Sequence, residues 1–278
     1  MAYDGHLMNH IYVHGYDARE NLRLQDQAST LIDLLHSDTI YPEGSSVLEA
    51  GCGVGAQTIV LAANSPKASI VSVDISEKSI EEAGKAVNAA GLNNVTLHQA
   101  DIFNLPFPPG SFDHVFVCFV LEHLAQPVAA LRALKNVLRT GGTLTVIEGD
   151  HGSANFHPDS EFARKAILCQ VKLQARAGGD ALIGRALYPL LMEAGFKTVQ
   201  VSPRMVYVDS SKPDLVDGFT KKTFTAMIEG IREAALASGM IDGETFDKGI
   251  ADLYRTTEPD GVFCYTFFKA VAVNNLTT

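Results

Sequence analysis

The chain has 278 residues, 46% hydrophobic and 19% charged, with a formal net charge of −10, a balance that suits one large globular domain and excludes extended disorder. Its 22 basic residues are scattered, Lys221-Lys222 being the densest pair, which argues against a nucleic-acid partner. Cys52, Cys118, Cys169 and Cys264 form no CxxC pair, no window approaches the ~18 uninterrupted apolar residues of a membrane span, and the N-terminus lacks a secretory pattern, so a cytoplasmic protein with no metal site and no disulfide is expected.

Residues 1–45 read as a helical segment: "ARENLRLQDQASTLIDLLHS" carries Leu22, Leu24, Ala28, Leu31, Leu34 and Leu35 at helical spacing, and Pro42 and Gly44 close it. Upstream, "HIYVHGYD" is short and rich in Tyr and His. From Ser46 onward, β-branched runs alternate with helical patterns, the mark of a parallel sheet wrapped by helices. Seven strands are predicted, at "SVLEA", "SIVSVD", "VTLHQA", "HVFVCF", "TLTVIEG", "TVQVSP" and "CYTFFKAVAV". Between them "AQTIVLAANS", "SEKSIEEAGKAVNAAG", "PVAALRALKNVLRTGG" and "GRALYPLLMEAGF" repeat apolar residues three and four apart, with Ser76 as a natural N-cap. Two stretches break the alternation, at about 151–182 and 209–260, and both contain helical patterns. Long insertions at strand ends commonly become lids or recognition walls, or else a helical layer that only stabilises.

The first strand runs into "VLEAGCGVGAQT", with Gly51, Gly53 and Gly55 at alternate positions before a helix. Glycines there let the backbone approach a ligand closely, beyond the carboxyl ends of the strands, where doubly wound sheets bind ligands. Gly51, Gly53 and Ala56 satisfy the GxGxxA form of the dinucleotide fingerprint, and Asp74 follows at the distance of a ribose-binding acid, so NAD binding stays open on this motif. Glu49 tilts against it: a carboxylate ~5 Å from a pyrophosphate, at an effective dielectric of ~20, costs about 3 kcal/mol. A ligand carrying an ammonium or a sulfonium reverses that sign, and a Glu49 that points away from the ligand removes the effect.

Taken together, "VLEAGCGVGAQT", "VDIS", "QADIFNLPFPPGSFDHVFVCFVLEHL", "LKNVLRTGGTLTVIEGD" and "LMEAGF" resemble the class I S-adenosylmethionine-dependent methyltransferases, in register from about Ser46 to Phe196. The resemblance implies a doubly wound α/β fold of Rossmann-like type, a seven-stranded, mostly parallel sheet with an antiparallel last strand, occupying 46–278 and carrying the helical insertions. It also implies S-adenosylmethionine as cofactor. Gly51, Gly53 and Gly55 would pass beneath its methionine and ribose, Glu49 would face its amino group, Asp74 would accept the ribose hydroxyls and Ile75 would pack on adenine. Asp101 would accept from the adenine amino group beside Ile102, while Cys118 and Phe119 would line the methionine end. Tyr16, with Tyr12 and His14, would close over the cofactor or wall off the acceptor, as N-terminal segments do in similar enzymes.

A sulfonium methyl is already electrophilic, so the protein has mainly to align an acceptor and exclude water, adding a general base only for a hydroxyl or an acidic carbon. Candidates for that chemistry are His123 in "LEHL" and Glu148, Asp150 and His151 in "EGDHG"; alternatively these residues tie down the first insertion. Tyr207, Tyr265, Arg185 and Arg204 are further polar candidates. Base-nitrogen methylation is disfavoured by "CFVLEHL" after the fourth strand, and arsenite methylation by the dispersed cysteines. The expected partner is therefore a small-molecule methyl acceptor, and a homodimer is allowed, the sequence leaving the oligomeric state open. A nicotinamide oxidoreductase and a non-catalytic cofactor-binding scaffold are the alternatives.

Overall fold

The computed structural model describes residues 30–275. Strands β1 (Ser46–Ala50), β2 (Ser69–Asp74), β3 (Val95–Gln99), β4 (Phe112–Cys118) and β5 (Leu138–Gly149) pair in parallel in the order β3-β2-β1-β4-β5. They are rich in Val, Ile, Leu and Phe because helices cover both faces of the sheet. Alternate residues sort to two cores. Val47, Ile70, Phe116 and Ile147 share one with Leu61 of α2 (Ala56–Asn64), and Leu48, Val73, Val117 and Val146 share the other with Leu131 of α4 (Pro127–Val137).

Strand β8 (Val262–Val273) closes the sheet antiparallel to β5, and β7 (Thr198–Val208) runs antiparallel along its far side. All seven predicted strands are present. An eighth, β6 (Asn155–His157), pairs with β8 in line with β5, continuing its edge after a turn. Three residues are too few for a periodicity to announce a strand. Strand β7 also runs on past Pro203, where the predicted strand ended, because an edge strand tolerates a residue without an N–H.

Helix α3 (Glu77–Ala89) starts as predicted on Ser76, whose hydroxyl accepts the Ser79 N–H at 3.2 Å. In the first insertion lies α5 (Glu161–Arg176), in the second α10 (Gly243–Arg255), and the two pack together: Ser160, the N-cap of α5, donates to Asp252 Oδ2 at 2.6 Å, and a Cβ on Gly249 would lie 2.6 Å from Phe162 O. The insertions thus make one helical layer. The segment before α10 is irregular, with a wide π-type run over Val216–Thr225 that sets Phe219 and Phe224 against Phe263, Tyr265 and Phe267 of β8. Helix α1, described over 30–36, is fastened by Lys269 of β8, whose Nζ donates to Leu35 O at 3.2 Å, Thr39 Oγ1 at 2.6 Å and Asp38 Oδ1 at 2.5 Å. A lysine there satisfies a carbonyl that the helix end leaves without an internal donor.

Because the chain crosses from β3 to β4 on the other side of β1, the sheet order reverses between β1 and β4. The crevice at their carboxyl ends is the expected ligand position.

Candidate active site

The glycine loop is the turn that leaves β1 at this crevice. Gly51, Gly53 and Gly55 all lie in the left-handed region, at φ 77°, 52° and 83°. A Cβ on Gly51 would lie 2.4 Å from Val120 Cγ2, and one on Gly55 3.1 Å from Ala83 Cα, so the loop abuts the exit of β4 on one side and α3 on the other. A Cβ on Gly53 would meet nothing within 4 Å. At that point the backbone presents an open face.

Asp74 stands beside it: Oδ2 accepts the Gly53 N–H and Oδ1 the Ser76 N–H, each at 2.9 Å. The carboxylate is thereby held at the loop with lone pairs still to offer, and burial raises its pKa. Ile75, next along, is 49% exposed, a large apolar side chain left at the edge of the site. Asp101 Oδ1 accepts the Phe103 N–H at 2.9 Å, which makes it a turn residue in this structure, and Ile102 packs against the core on the α4 face. Cys118 is buried, and burial pushes its thiol up. Phe119 follows at φ 57°, left-handed without being glycine, its ring 5.6 Å from that of Phe267. Such strain tends to collect at functional sites.

Glu49, at the end of β1, is tied to its neighbours in the sheet and in α2. Its side chain is buried, and Oε2 accepts the hydroxyls of Thr58 and Ser72, both at 2.6 Å, so one oxygen braces β1 against α2 and β2. Burial pushes its pKa up to about 7. The electrostatic argument against a pyrophosphate weakens with it, since burial raises the carboxyl's pKa and so lowers its mean charge near neutral pH. Tyr12, His14 and Tyr16 lie outside the described residues.

The catalytic candidates are held by partners. Glu148 Oε1 accepts the N–H groups of Val120 at 3.0 Å and Leu121 at 2.7 Å, tying the exit of β5 to that of β4. Asp150 is buried and forms a two-pronged ion pair with Arg185, both contacts 2.7 Å, while also accepting the Gly152 N–H at 3.0 Å. His151 Nδ1 lies 2.7 Å from the Tyr265 hydroxyl, with the Phe224 ring edge-on at 6.2 Å. His123 Nε2 lies 3.6 Å from Glu122 Oε1. Glu148, Asp150 and His151 thus line the exit of β5, with His123 on the loop that Glu148 holds.

Glu122 and Gln174 were missed. Gln174 Nε2 donates to Glu122 O at 3.0 Å and to Oε2 at 3.1 Å, and Gln170 donates to Gln174 Oε1 at 3.1 Å. A signal existed: two glutamines four apart on α5, at positions that its apolar spacing turns inward.

The comparisons with known proteins agree with this geometry. Residues 48–146 match a family profile described as a methyltransferase domain. The chain is 33% identical over 202 residues to a 37.1 kDa protein of a Streptomyces fradiae transposon, covering 72% of this chain and 57% of that one. It is 31% identical over 168 residues to the 27-O-demethylrifamycin SV methyltransferase of Amycolatopsis mediterranei, covering 58% and 61%. The chain therefore spans under two thirds of the length of these relatives. Among solved structures, phosphoethanolamine N-methyltransferase 2 of Haemonchus contortus, in complex with phosphomonomethylethanolamine and S-adenosylhomocysteine, superposes with a TM-score of 0.56 at 16% identity, over 90% of this chain and 53% of that one. At that identity the likeness is one of fold. With its glycine loop, its sheet order and the matched profile all in register, this chain carries a methyltransferase domain of the class I S-adenosylmethionine-dependent type over residues 48–146.

Proposed function

We propose that this protein transfers a methyl group from S-adenosylmethionine to a small organic acceptor. The observation that carries the reading is the open face of Gly53 beside Asp74, inside a methyltransferase domain. The residues present fit the cofactor: three left-handed glycines bring backbone to the ligand without side chains, a carboxylate is fixed where ribose hydroxyls need an acceptor, and exposed Ile75 offers an apolar surface for a base. When bound there, the cofactor supplies a methyl group on a positively charged sulfur.

Asp74 holds the ribose in this reading, with Asp101 and Ile102 at the adenine. Phe119 and Cys118 border the methionine end, at the exit of β4. The helical layer of α5, α10 and the π-type segment then forms the acceptor wall and keeps water out. If the acceptor is a hydroxyl or an acidic carbon, its proton passes to the His151–Tyr265 pair, because Asp150 is neutralised by Arg185 and Glu148 is fully buried with Oε1 taken by backbone donors. The small size of the acceptor is suggested by the rifamycin methyltransferase relative and by the acidic charge of the chain. A cytosolic setting is suggested by the four free cysteines. Among the described residues no helix is long and apolar enough to cross a membrane.

Titration calorimetry tests the reading. Heat is expected with S-adenosylmethionine and with S-adenosylhomocysteine, to be lost on Asp74→Ala, and methyl label is expected to pass from the cofactor into a small-molecule extract. Silence with both compounds, or binding of NAD in their place, defeats it. Cofactor binding without label transfer supports a scaffold instead.

A further inference from the structure

Glu148 presents an unusual combination at the exit of β5. It is fully buried, its Oε1 accepts the Val120 and Leu121 N–H groups with that of Glu122 contributing, and its Oε2 has no hydrogen-bond partner among the described residues. No ion pair to it is found among those residues. Among the described residues, the charged and titratable groups around it offer no compensating cation. Glu122, on the same loop, is a second buried acid and is itself engaged by Gln174 and by His123. On β4 Cys118 is buried, on β8 Tyr265 is hydrogen-bonded to His151, and Asp150 is neutralised by Arg185. Lys269 points to the other face of the sheet, toward Asp38 and α1.

We infer that Glu148 acts as a neutral carboxylic acid, a positioning residue whose Oε1 carries the backbone of residues 120–122 and whose second oxygen bears a proton instead of a charge. An ionised carboxylate in that place would be a buried charge without a cation, the costliest state for such a group. Burial foremost, and then the charge of Glu122, push its pKa well above the ordinary carboxylate range. What the acid positions is the loop that begins at strained Phe119 and carries His123, so its effect on ligand affinity rests on the proposed cofactor site.

The test compares Glu148→Gln, which keeps the accepting oxygen and a neutral partner group, with Glu148→Ala and Glu122→Gln. In infrared difference spectra taken near neutral pH, the wild-type protein minus Glu148→Gln is expected to show a protonated-carboxyl C=O band that persists in Glu122→Gln. The melting temperature of Glu148→Gln relative to wild type is expected to rise from about pH 5 to about pH 8. The sign follows from linkage: a carboxyl with a raised folded-state pKa stabilises below its unfolded pKa, and that contribution is lost as pH rises. Affinity for S-adenosylhomocysteine is expected to stay within about threefold for Glu148→Gln and to fall at least about tenfold for Glu148→Ala. A missing band, a melting difference that runs the other way, or a Gln variant as damaged as the Ala variant overturns the inference. Should the wild-type protein fail to bind S-adenosylhomocysteine, the proposed function falls, while the band and the melting trend still decide the state of Glu148.

Discussion

The two halves of the crevice are built on different principles. At β1 and β2 the site is made of backbone: three left-handed glycines, one with nothing above it, and a carboxylate fixed by two main-chain N–H groups. At β5 and β8 it is made of side chains held by partners, Asp150 by Arg185, His151 by Tyr265, and one oxygen of Glu148 by the backbone of the loop after β4. Geometry that only glycine can supply suits a cofactor half, where backbone must come close to the ligand. A network of mutually held side chains suits an acceptor half, where groups must be aimed and water excluded.

The sharpest way to break the comparison is Gly51→Ala. It forces a side chain into the left-handed region and to within 2.4 Å of Val120, and should cost about 4 kcal/mol in urea unfolding. Gly53→Ala, with open space around its Cβ, should cost about 1 kcal/mol of strain yet weaken S-adenosylhomocysteine binding, measured by calorimetry. Equal losses of stability in the two variants would show that the open face has no special role.

Next in size is a pH effect on the cofactor side. Because Glu49 keeps its proton up to about 7, the fold is favoured below the ordinary carboxylate range and loses that contribution as pH rises through neutrality. Glu49→Gln, which still accepts from Ser72 and Thr58, should flatten this decline, worth up to about 3 kcal/mol, in melting curves taken across the range.

On the other side, Asp150→Ala should cost about 2 kcal/mol by leaving the Arg185 guanidinium and the Gly152 N–H without their carboxylate, while barely changing S-adenosylhomocysteine affinity. An equally large loss of affinity would mean that the halves are coupled through the β4 exit. Smallest of all, Tyr265→Phe should cost about 1 kcal/mol, and a double-mutant cycle with His151 should recover most of it as pair coupling.

Much of this was legible in order along the chain. The alternation from Ser46, the loop at Gly51, Gly53 and Gly55 and the N-cap at Ser76 are local patterns, and each occurs where the sequence placed it. What eluded the reading was long-range: Asp150 meets Arg185 35 positions away, His151 meets Tyr265 114 positions away, and Glu122 meets Gln174 52 positions away. Glu49 shows the same limit in one side chain. The sequence left open which way it points, and the hydroxyl that holds it belongs to Ser72, a residue of the next strand.

By itself, then, the sequence determined the layered sheet, the turn that only glycine can make and the acid at the end of β2, because periodicity and backbone conformation are properties of neighbouring residues. Tertiary structure alone decided which way the buried carboxyls face, that the two insertions become one layer, and which candidates are engaged by a partner, because hydrogen-bond partners and burial are set by segments that meet only on folding.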